Sequence, residues 1–301
     1  MKTKKNGRRN RHQRYKCLTC RHRWGGTAPK TKSWIQAAYE EYSKGKQTLK
    51  ELARRYGRCR QTLGRYFDVL EPCTGEIIVP NHPVTVILDA TFFSRHDGVL
   101  VARAESRNLL WKEIESEKAE YYSEVLDTLW AAGIHFAAFV IDGRRGVREK
   151  LMGQYPDVPI QFCQFHQMAI VTRYLSARPK LEAGRQLRRI VLTLSRTHRG
   201  TFTDALKQWH AGWKDFLKEK TMNPVSRRWH YTHRRIRSAY RSLMTNLPWL
   251  FTCQDHPGLN IPNTTNSCDG SFAHWKNKLK IHRGLSRERR RKMMNYLLEN
   301  S

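Results

Sequence analysis

The stretch VTVILDATFF, Val84–Phe93, is a run of apolar and β-branched residues broken by one carboxylate, Asp89. Valine, isoleucine, threonine and phenylalanine in this density specify a β-strand. Alternation then puts Ile87, Asp89 and Thr91 on one face and Val86, Leu88 and Ala90 on the other. Both faces carry apolar residues, so both are expected to be covered. A carboxylate buried there is costly unless a cation or hydrogen bonds satisfy it, whereas in an edge strand Asp89 would face water. The elements downstream are ordered around this strand. GVLVARAES and LLWKEIES read as two further strands, the first reached through the turn RHDG. Helix EYYSEVLDTLWAAG, strand FAAFVIDGRRG, helix VREKLMGQYPD and short strand PIQFCQF follow. Three strands in hairpin succession, then helix, strand, helix, strand, is the order of a ribonuclease H-like mixed sheet.

Either side of this α/β core the pattern changes. From His166 to Phe251 the periodicity is helical and rich in Arg, Trp and His, with no strand expected, which describes an α-helical insertion. Upstream, QTLKELARRYGRCRQTLGRYFD carries Leu49, Leu52, Ala53 and Tyr56 at helical spacing, then Gly57 at a turn, then Leu63, Tyr66 and Phe67 on one face. Two short helices about a glycine turn are expected to form a helix-turn-helix, with Arg58, Arg60, Gln61, Thr62 and Arg65 left outward for a DNA groove. Any small helical hairpin shares the apolar spacing; the outward face, basic and without an acid, favours DNA. Before it, YKCLTCRHRW holds a Cys-x-x-Cys pair, Cys17 and Cys20, in an otherwise polar segment. A zinc site wants four ligands; His12 and His22 could complete it, or the pair is half of a zinc ribbon. The expected order is a basic segment with a partial zinc ribbon (1–30), a helix-turn-helix region (31–75), the α/β core (80–166), the insertion (167–258), and completion of the core with a basic C-terminal helix (259–301).

The chain has 301 residues, with 56 Lys and Arg against 26 Asp and Glu, a formal charge of +30. Such an excess repels itself unless a polyanion shares it, which points to double-stranded DNA as partner. No apolar run has the roughly 18 residues of a membrane span, and the basic start MKTKKNGRRNRHQRYK lacks the apolar stretch of a secretory signal. Seven scattered cysteines fit a reducing compartment. The expected location is the cytoplasm, at the nucleoid, with no membrane partner.

Against this positive background three carboxylates stand out. Asp89 lies within the first strand, Asp142 ends AAFVID before Gly143, and Asp269 opens the aromatic helix NSCDGSFAHWK beside Cys268, Phe272, Trp275 and Leu279. Asp142 sits where such sheets place their sites, although Asp-Gly is also turn chemistry and an aspartate there can cap the next helix. With Asn266 as N-cap, Asp269 is also well placed for the helix dipole. Three carboxylates can converge on hard cations such as Mg²⁺, and two such ions about 4 Å apart activate an attacking oxygen and stabilise a leaving one in phosphodiester transfer. Basic, aromatic stretches such as RRWHYTHRRIRSAYR and HRGLSRERRRKMMNYL suit phosphate contact and base stacking.

Taken together and in this order, the partial zinc ribbon, the helix-turn-helix, LDATFF, VIDGRRG, CQFH, the helical insertion and TTNSCDGSFAHWK resemble the DDE-type transposases of bacterial insertion sequences, in the branch shared with eukaryotic Mutator-like elements. Cys163 and His166 match that branch's Cys-x-x-His motif, and Thr265 and Asn266 match the Thr-Asn pair before its third acid. The resemblance implies a transposase that recognises terminal inverted repeats, then cleaves and transfers DNA strands with two Mg²⁺ ions or Mn²⁺, as a dimer or higher assembly. It implies Asp89, Asp142 and Asp269 as metal ligands and Cys163 and His166 in the catalytic core. Lys276, Lys280 and Arg283, beside the third acid, are expected at the DNA. One departure is plain: the family's third acid is usually glutamate, and here it is Asp269. That departure keeps open a catalytically inactive DNA-binding regulator, and a nuclease that cleaves without transfer.

Overall fold

The computed structural model describes residues 2–9, 12–25, 33–70, 77, 79–282 and 284–300. Strands β1 (Thr3–Arg9), β2 (His12–Cys17) and β3 (Arg23–Gly25) form an antiparallel sheet, a structure the polar composition of this segment did not announce. Helices α1 (Ser33–Lys44), α2 (Leu49–Arg55) and α3 (Arg60–Val69) follow. Thr48 opens α2 through a reciprocal cap with Glu51, and the turn into α3 needs Gly57 at φ +60°. Of the residues at helical spacing, Leu52, Ala53, Leu63 and Phe67 are buried, whereas Leu49, Tyr56 and Tyr66 are half-buried; Ile35, Ala38 and Tyr39 of α1 are buried as well.

The central sheet is built from β4 (Val84–Ser94), β5 (Asp97–Ala104), β6 (Arg107–Ile114), β7 (Phe136–Ile141) and β8 (Ile160–Phe162). Helix α4 (Ala119–Ala131) links β6 to β7, and α5 (Arg145–Gln154) links β7 to β8. The sheet order is β6-β5-β4-β7-β8, with β4, β5 and β6 antiparallel and β4, β7 and β8 parallel. This mixed α/β arrangement is compatible with the ribonuclease H-like expectation. It puts β4 in the middle, so the strand carrying Asp89 has no free edge.

Helices α6 (Gln164–Leu175), α7 (Glu182–Leu192), α8 (Arg199–Lys218), α9 (Arg234–Leu250) and α10 (Thr252–Asp255) come next. The expectation of no strand here is corrected: β9 (Lys220–Met222) and β10 (Trp229–Tyr231) form an antiparallel hairpin between α8 and α9. Three-residue strands are too short to interrupt a helical period legibly. The chain ends in α11 (Asn266–Ile281) and α12 (Arg287–Glu299). No described helix is long and apolar enough to cross a membrane.

By compactness the chain divides into two units. One comprises Met1–Cys73 with Lys278–Leu297, the other Thr74–Asn277 with Leu298–Ser301. In the first, Arg289 of α12 donates two hydrogen bonds to Asp68 of α3, at 2.7 and 2.6 Å, and Tyr296 packs edge-on against Tyr39 at 5.2 Å. In the second, one apolar cluster runs through Val86, Leu88, Leu100 and Ala102 of the sheet, Leu126 and Leu129 of α4, and on to Leu187, Leu206, Leu243 and Phe251. The helices after β8 therefore share the core of the sheet. That cluster uses the even-numbered face of β4. The opposite face, with Ile87, Asp89 and Thr91 beside Val99, Val101 and Arg103 of β5, is also buried. Arg103 there donates to Ser271 of α11 at 3.0 Å and to the Ser106 carbonyl at 2.7 Å, holding α11 to the sheet.

Cys268, Phe272 and Trp275 form the buried stripe of α11, and the expected fourth member, Leu279, is only half-buried. Truncating the fully buried Trp275 to alanine is expected to cost about 3–5 kcal/mol in urea unfolding, whereas Lys280→Ala on the exposed side of the same helix stays within about 0.5 kcal/mol.

Candidate metal centre

Asp89 is 5 % exposed in the middle of β4. Its Oδ1 accepts the Ala90 amide at 2.8 Å, while its Oδ2 is buried with no hydrogen-bond partner. Burial of the charge, with Asp269 and Asp142 adding repulsion and His166 opposing it, pushes the Asp89 carboxyl up to about 7. The groups that Asp89 meets come from α6 and α11. Ligand atoms of Asp89, His166 and Asp269 all lie within 4.8 Å of one another.

Residues 163–166 and 263–269 bring α6 and α11 into register. Cys163 is fully buried at the end of β8, where its amide donates to the Ile141 carbonyl at 2.7 Å. The Thr265 amide and hydroxyl donate to its sulfur at 3.3 and 3.5 Å. The Gln164 amide donates to the Asn263 carbonyl at 2.9 Å, and the Asn263 side-chain amide returns a bond to Gln164 Oε1 at 3.0 Å. Thr265 Oγ1 lies 3.4 Å from both His166 Nδ1 and Asp269 Oδ2. The Thr265 carbonyl accepts the amides of Cys268 and Asp269, so Thr265, one residue before the expected Asn266, sits at the start of α11. Thr265 thus touches every member of the cluster except Asp89. Sequence reasoning noted it as part of a motif without giving it a role; its signal was the position of a hydroxyl four residues before the acid, one helical turn.

His166 is half-buried, and the adjacent Cys163 sulfur, with help from the charges of Asp89 and Asp269, raises its imidazole to about 9 against the cost of burial. Desolvation works to raise the Cys163 thiol, but its contacts with His166 and Thr265 prevail and hold it below its ordinary value. Without a metal, then, the ring is protonated at neutral pH and supplies positive charge beside two carboxylates. Asp142 is not among the groups within 4.8 Å. It follows β7, where its Oδ1 accepts the Arg144 amide and its Oδ2 the Arg144 Nε, each at 3.1 Å, the turn chemistry that Asp-Gly also offers. Arg144 also ion-pairs with Glu117, which accepts the Tyr122 hydroxyl at 2.6 Å. Burial raises the Glu117 carboxyl, and the charge of Asp142 adds to the effect. Glu117 was not singled out from sequence, because a glutamate between a strand and a helix carries no distinguishing spacing.

The donor set fits a divalent cation. Asp89, with one buried oxygen unpartnered, gathers with a second carboxylate and an imidazole, and carboxylate oxygens with one imidazole suit Mn²⁺ and other first-row ions as well as or better than Mg²⁺. Among the described residues no other group of three such side chains gathers. Cys17 is buried and Cys20 exposed, and His22 stacks against Trp24 at 6.1 Å. The side chain of His12 lies outside the described residues.

Of the residues expected at DNA, Arg58, Arg60, Gln61 and Arg65 are exposed around the start of α3. Thr62 is half-buried and tied to Cys59, whose sulfur caps α3. Lys280 is exposed and Lys276 half-buried, and Arg283 lies outside the described residues.

No family model and no curated protein matches the chain. Among solved structures it is similar to the Mos1 strand transfer complex, at 12% identity, covering 63% of this chain and 78% of that one with a TM-score of 0.20. It is also similar to a Mos1 transposase paired-end complex with the left transposon end, at 13% identity, 74% and 79% coverage and a TM-score of 0.21. A mariner Mos1 paired-end complex with Mg matches at 12% identity, 77% and 82% coverage and a TM-score of 0.20. Such low TM-scores carry neither fold nor chemistry across; both rest on this chain's own geometry.

A carboxyl raised from 3.8 to about 7 favours folding only while protonated. Its contribution is complete below about pH 4 and lost as pH rises through about 7. In EDTA, the stability of Asp89→Asn relative to the parent should therefore increase between pH 4.5 and pH 8, by on the order of 3–4 kcal/mol in urea unfolding. A difference that stays flat with pH would mean that the Asp89 carboxylate is already satisfied.

Proposed function

We propose that this protein is a DDE-type transposase that cleaves and joins DNA strands with divalent metal, in the branch shared with Mutator-like elements. The observation that carries the reading is the gathering of Asp89, which has one buried oxygen without a partner, with Asp269 and His166 inside a chain of charge +30. Asp89 meets the charges of Asp269 and Asp142, and Glu117 that of Asp142, a grouping of carboxylates that in so basic a protein suits the holding of cations. A phosphodiester offers the matching chemistry, since it must have its charge neutralised before an oxygen can attack it.

In this reading Asp89, Asp269 and Asp142 are the metal ligands, with His166 beside them, Mg²⁺ or Mn²⁺ as the ion, and two ions in the full site. Bound ions supply charge neutralisation of the phosphate and activation of the attacking oxygen. The chain's own residues do the positioning. Asp89 presents its carboxylate from the central strand, and Thr265 orients both Asp269 and His166. Arg144 holds Asp142 aside and releases it when its guanidinium turns to a DNA phosphate, the role its 51% exposed side chain allows. Supporting aspartate as the third acid, a carboxylate oxygen of Asp269 lies within 4.8 Å of one of Asp89. The helix-turn-helix of α2 and α3, through Arg58, Arg60, Gln61, Thr62 and Arg65, recognises the inverted repeats at the element ends. Lys276, Lys280 and Arg283 meet the DNA near the site, Cys17 and Cys20 are candidate zinc ligands, and pairing of two ends calls for a dimer or larger assembly. The pairing of Asp142 with Arg144 favours one other reading, a catalytically inactive DNA-binding regulator.

Purified protein incubated with pre-cleaved ends from the DNA flanking its coding region, a target plasmid, and Mg²⁺ or Mn²⁺ should yield joined products. Asp89→Ala and Asp269→Ala should each lower the yield on the order of 10³-fold, several kcal/mol of lost charge stabilisation. Cleavage without joining would identify a nuclease, and binding with neither would identify the regulator. Independently of activity, Mn²⁺ should raise the melting temperature of the parent protein by several degrees and leave Asp89→Asn unmoved, because only the parent offers the full carboxylate set.

A further inference from the structure

Within the unit made of Met1–Cys73 and Lys278–Leu297 lies a cavity of about 350 Å³, lined wholly by residues of that unit. Protein interiors close with few voids larger than a water molecule, and this one has the size of a small-molecule site. Its wall is aromatic. Tyr42 meets Phe67 at 5.3 Å and His282 at 4.0 Å between ring centres, and Phe67 packs edge-on against Tyr39 at 5.1 Å. All four rings are buried, and Leu49 and Leu285 extend the apolar lining. Burial holds the His282 imidazole below its ordinary value, with Lys278 adding to the effect and a hydrogen bond to the Tyr42 backbone opposing it. The wall is therefore uncharged at neutral pH.

Other lining residues bring positive charge. Lys50, in the first turn of α2, and Arg60, which opens α3, both line the cavity and are exposed. Among the described residues neither is ion-paired. The one acid among the described lining residues is Asp68. Its carboxylate already accepts two hydrogen bonds from Arg289, at 2.7 and 2.6 Å, and Lys292 donates to its carbonyl at 2.8 Å. The cavity thus joins an uncharged aromatic wall to cations that lack a counter-ion.

We infer that this cavity binds a small aromatic carboxylate, its rings against Tyr42 and Phe67 and its carboxylate held by Lys50 and Arg60. The inference goes beyond the transposase reading and does not rest on it. Inorganic phosphate would satisfy the cations and leave the rings without a partner; a neutral hydrocarbon would do the reverse. Aromatic rings gain from offset or edge-on contact with a flat partner beyond what its buried area gives, which favours an aromatic over an aliphatic acid. A guanidinium and an ammonium are the donors that a carboxylate bonds most strongly.

The test is calorimetric titration of the full chain, in EDTA and without DNA, with 2-naphthoate as the probe. Saturable binding at one site per chain is expected, with decanoate and inorganic phosphate each roughly 10-fold weaker or more, since the ring contacts or the charge contacts are then lost. The double variant Lys50→Ala, Arg60→Ala should lose roughly 10- to 100-fold in affinity for 2-naphthoate, the range that charge-assisted hydrogen bonds supply. Leu49→Trp, which fills the cavity, should abolish the site. A chain of charge +30 also attracts aromatic anions over its surface, but such binding survives Leu49→Trp. The inference is overturned if 2-naphthoate shows no saturable binding, if the double variant binds it as the parent does, or if decanoate or phosphate binds equally well. Lys50 and Arg60 are exposed, so the double variant should keep the parent's thermal melt and decides the matter even where Leu49→Trp fails to fold.

Discussion

Everything at the candidate metal centre follows from the burial of one carboxylate. Asp89 occupies the middle of the central strand, with an apolar core behind it and α11 above it, and one of its oxygens has no partner. A charge in that position is stable only if the surroundings supply the opposite charge. They do so in part through His166, whose ring is held protonated by its neighbours, and the remaining deficit is what a metal ion would meet. The same constraint explains why α6 and α11 are clipped so tightly, through Cys163, Gln164, Asn263 and Thr265. Small displacements of either helix would change the energy of a buried charge, so local looseness is costly there as it is not at the surface.

Charge is distributed unevenly on a larger scale as well. The chain carries +30 in total, yet Asp89 meets the charges of Asp269 and Asp142, and Glu117 that of Asp142. Burial first, and repulsion between carboxylates as a smaller addition, raises Asp89 and Glu117, a pattern typical of functional sites. Arg144 and His166 partly relieve it, one by direct pairing and the other by its protonated ring. Both are groups that can move or lose a proton when another cation arrives.

Much of the α/β core was legible because its strands are long and carry a period of two or continuous β-branched runs. β4, β5, β6 and β7 were found where VTVILDATFF, GVLVARAES, LLWKEIES and FAAFVID lie, and α2 and α3 where Leu52, Leu63 and Phe67 recur. The hairpin β9–β10 was not legible, since strands of three residues between two long helices leave no measurable period. The sheet β1–β3 escaped for a different reason: its residues are mostly polar and exposed, so backbone pairing rather than a buried face defines it. For the site, the three acids were marked by their contexts, while their convergence was an expectation that the family resemblance supplied. Asp269 and Asp89 come together, His166 joins them, and Asp142 turns to Arg144, which a strand-end Asp-Gly with an arginine after it could equally have predicted as a turn.

By itself, the amino-acid sequence determined the order of strands and helices, the excess of positive charge, and the presence of a carboxylate on a strand with two covered faces. These are local properties, fixed by side-chain periodicity and composition over a few residues. Only the tertiary structure decided which groups come together, because that depends on contacts between residues more than a hundred positions apart, such as Cys163 with Thr265 and Arg103 with Ser271. The stabilisation of Asp89 is likewise tertiary: its burial, its unpartnered oxygen and the protonated ring beside it exist only once β4, α6 and α11 have packed together.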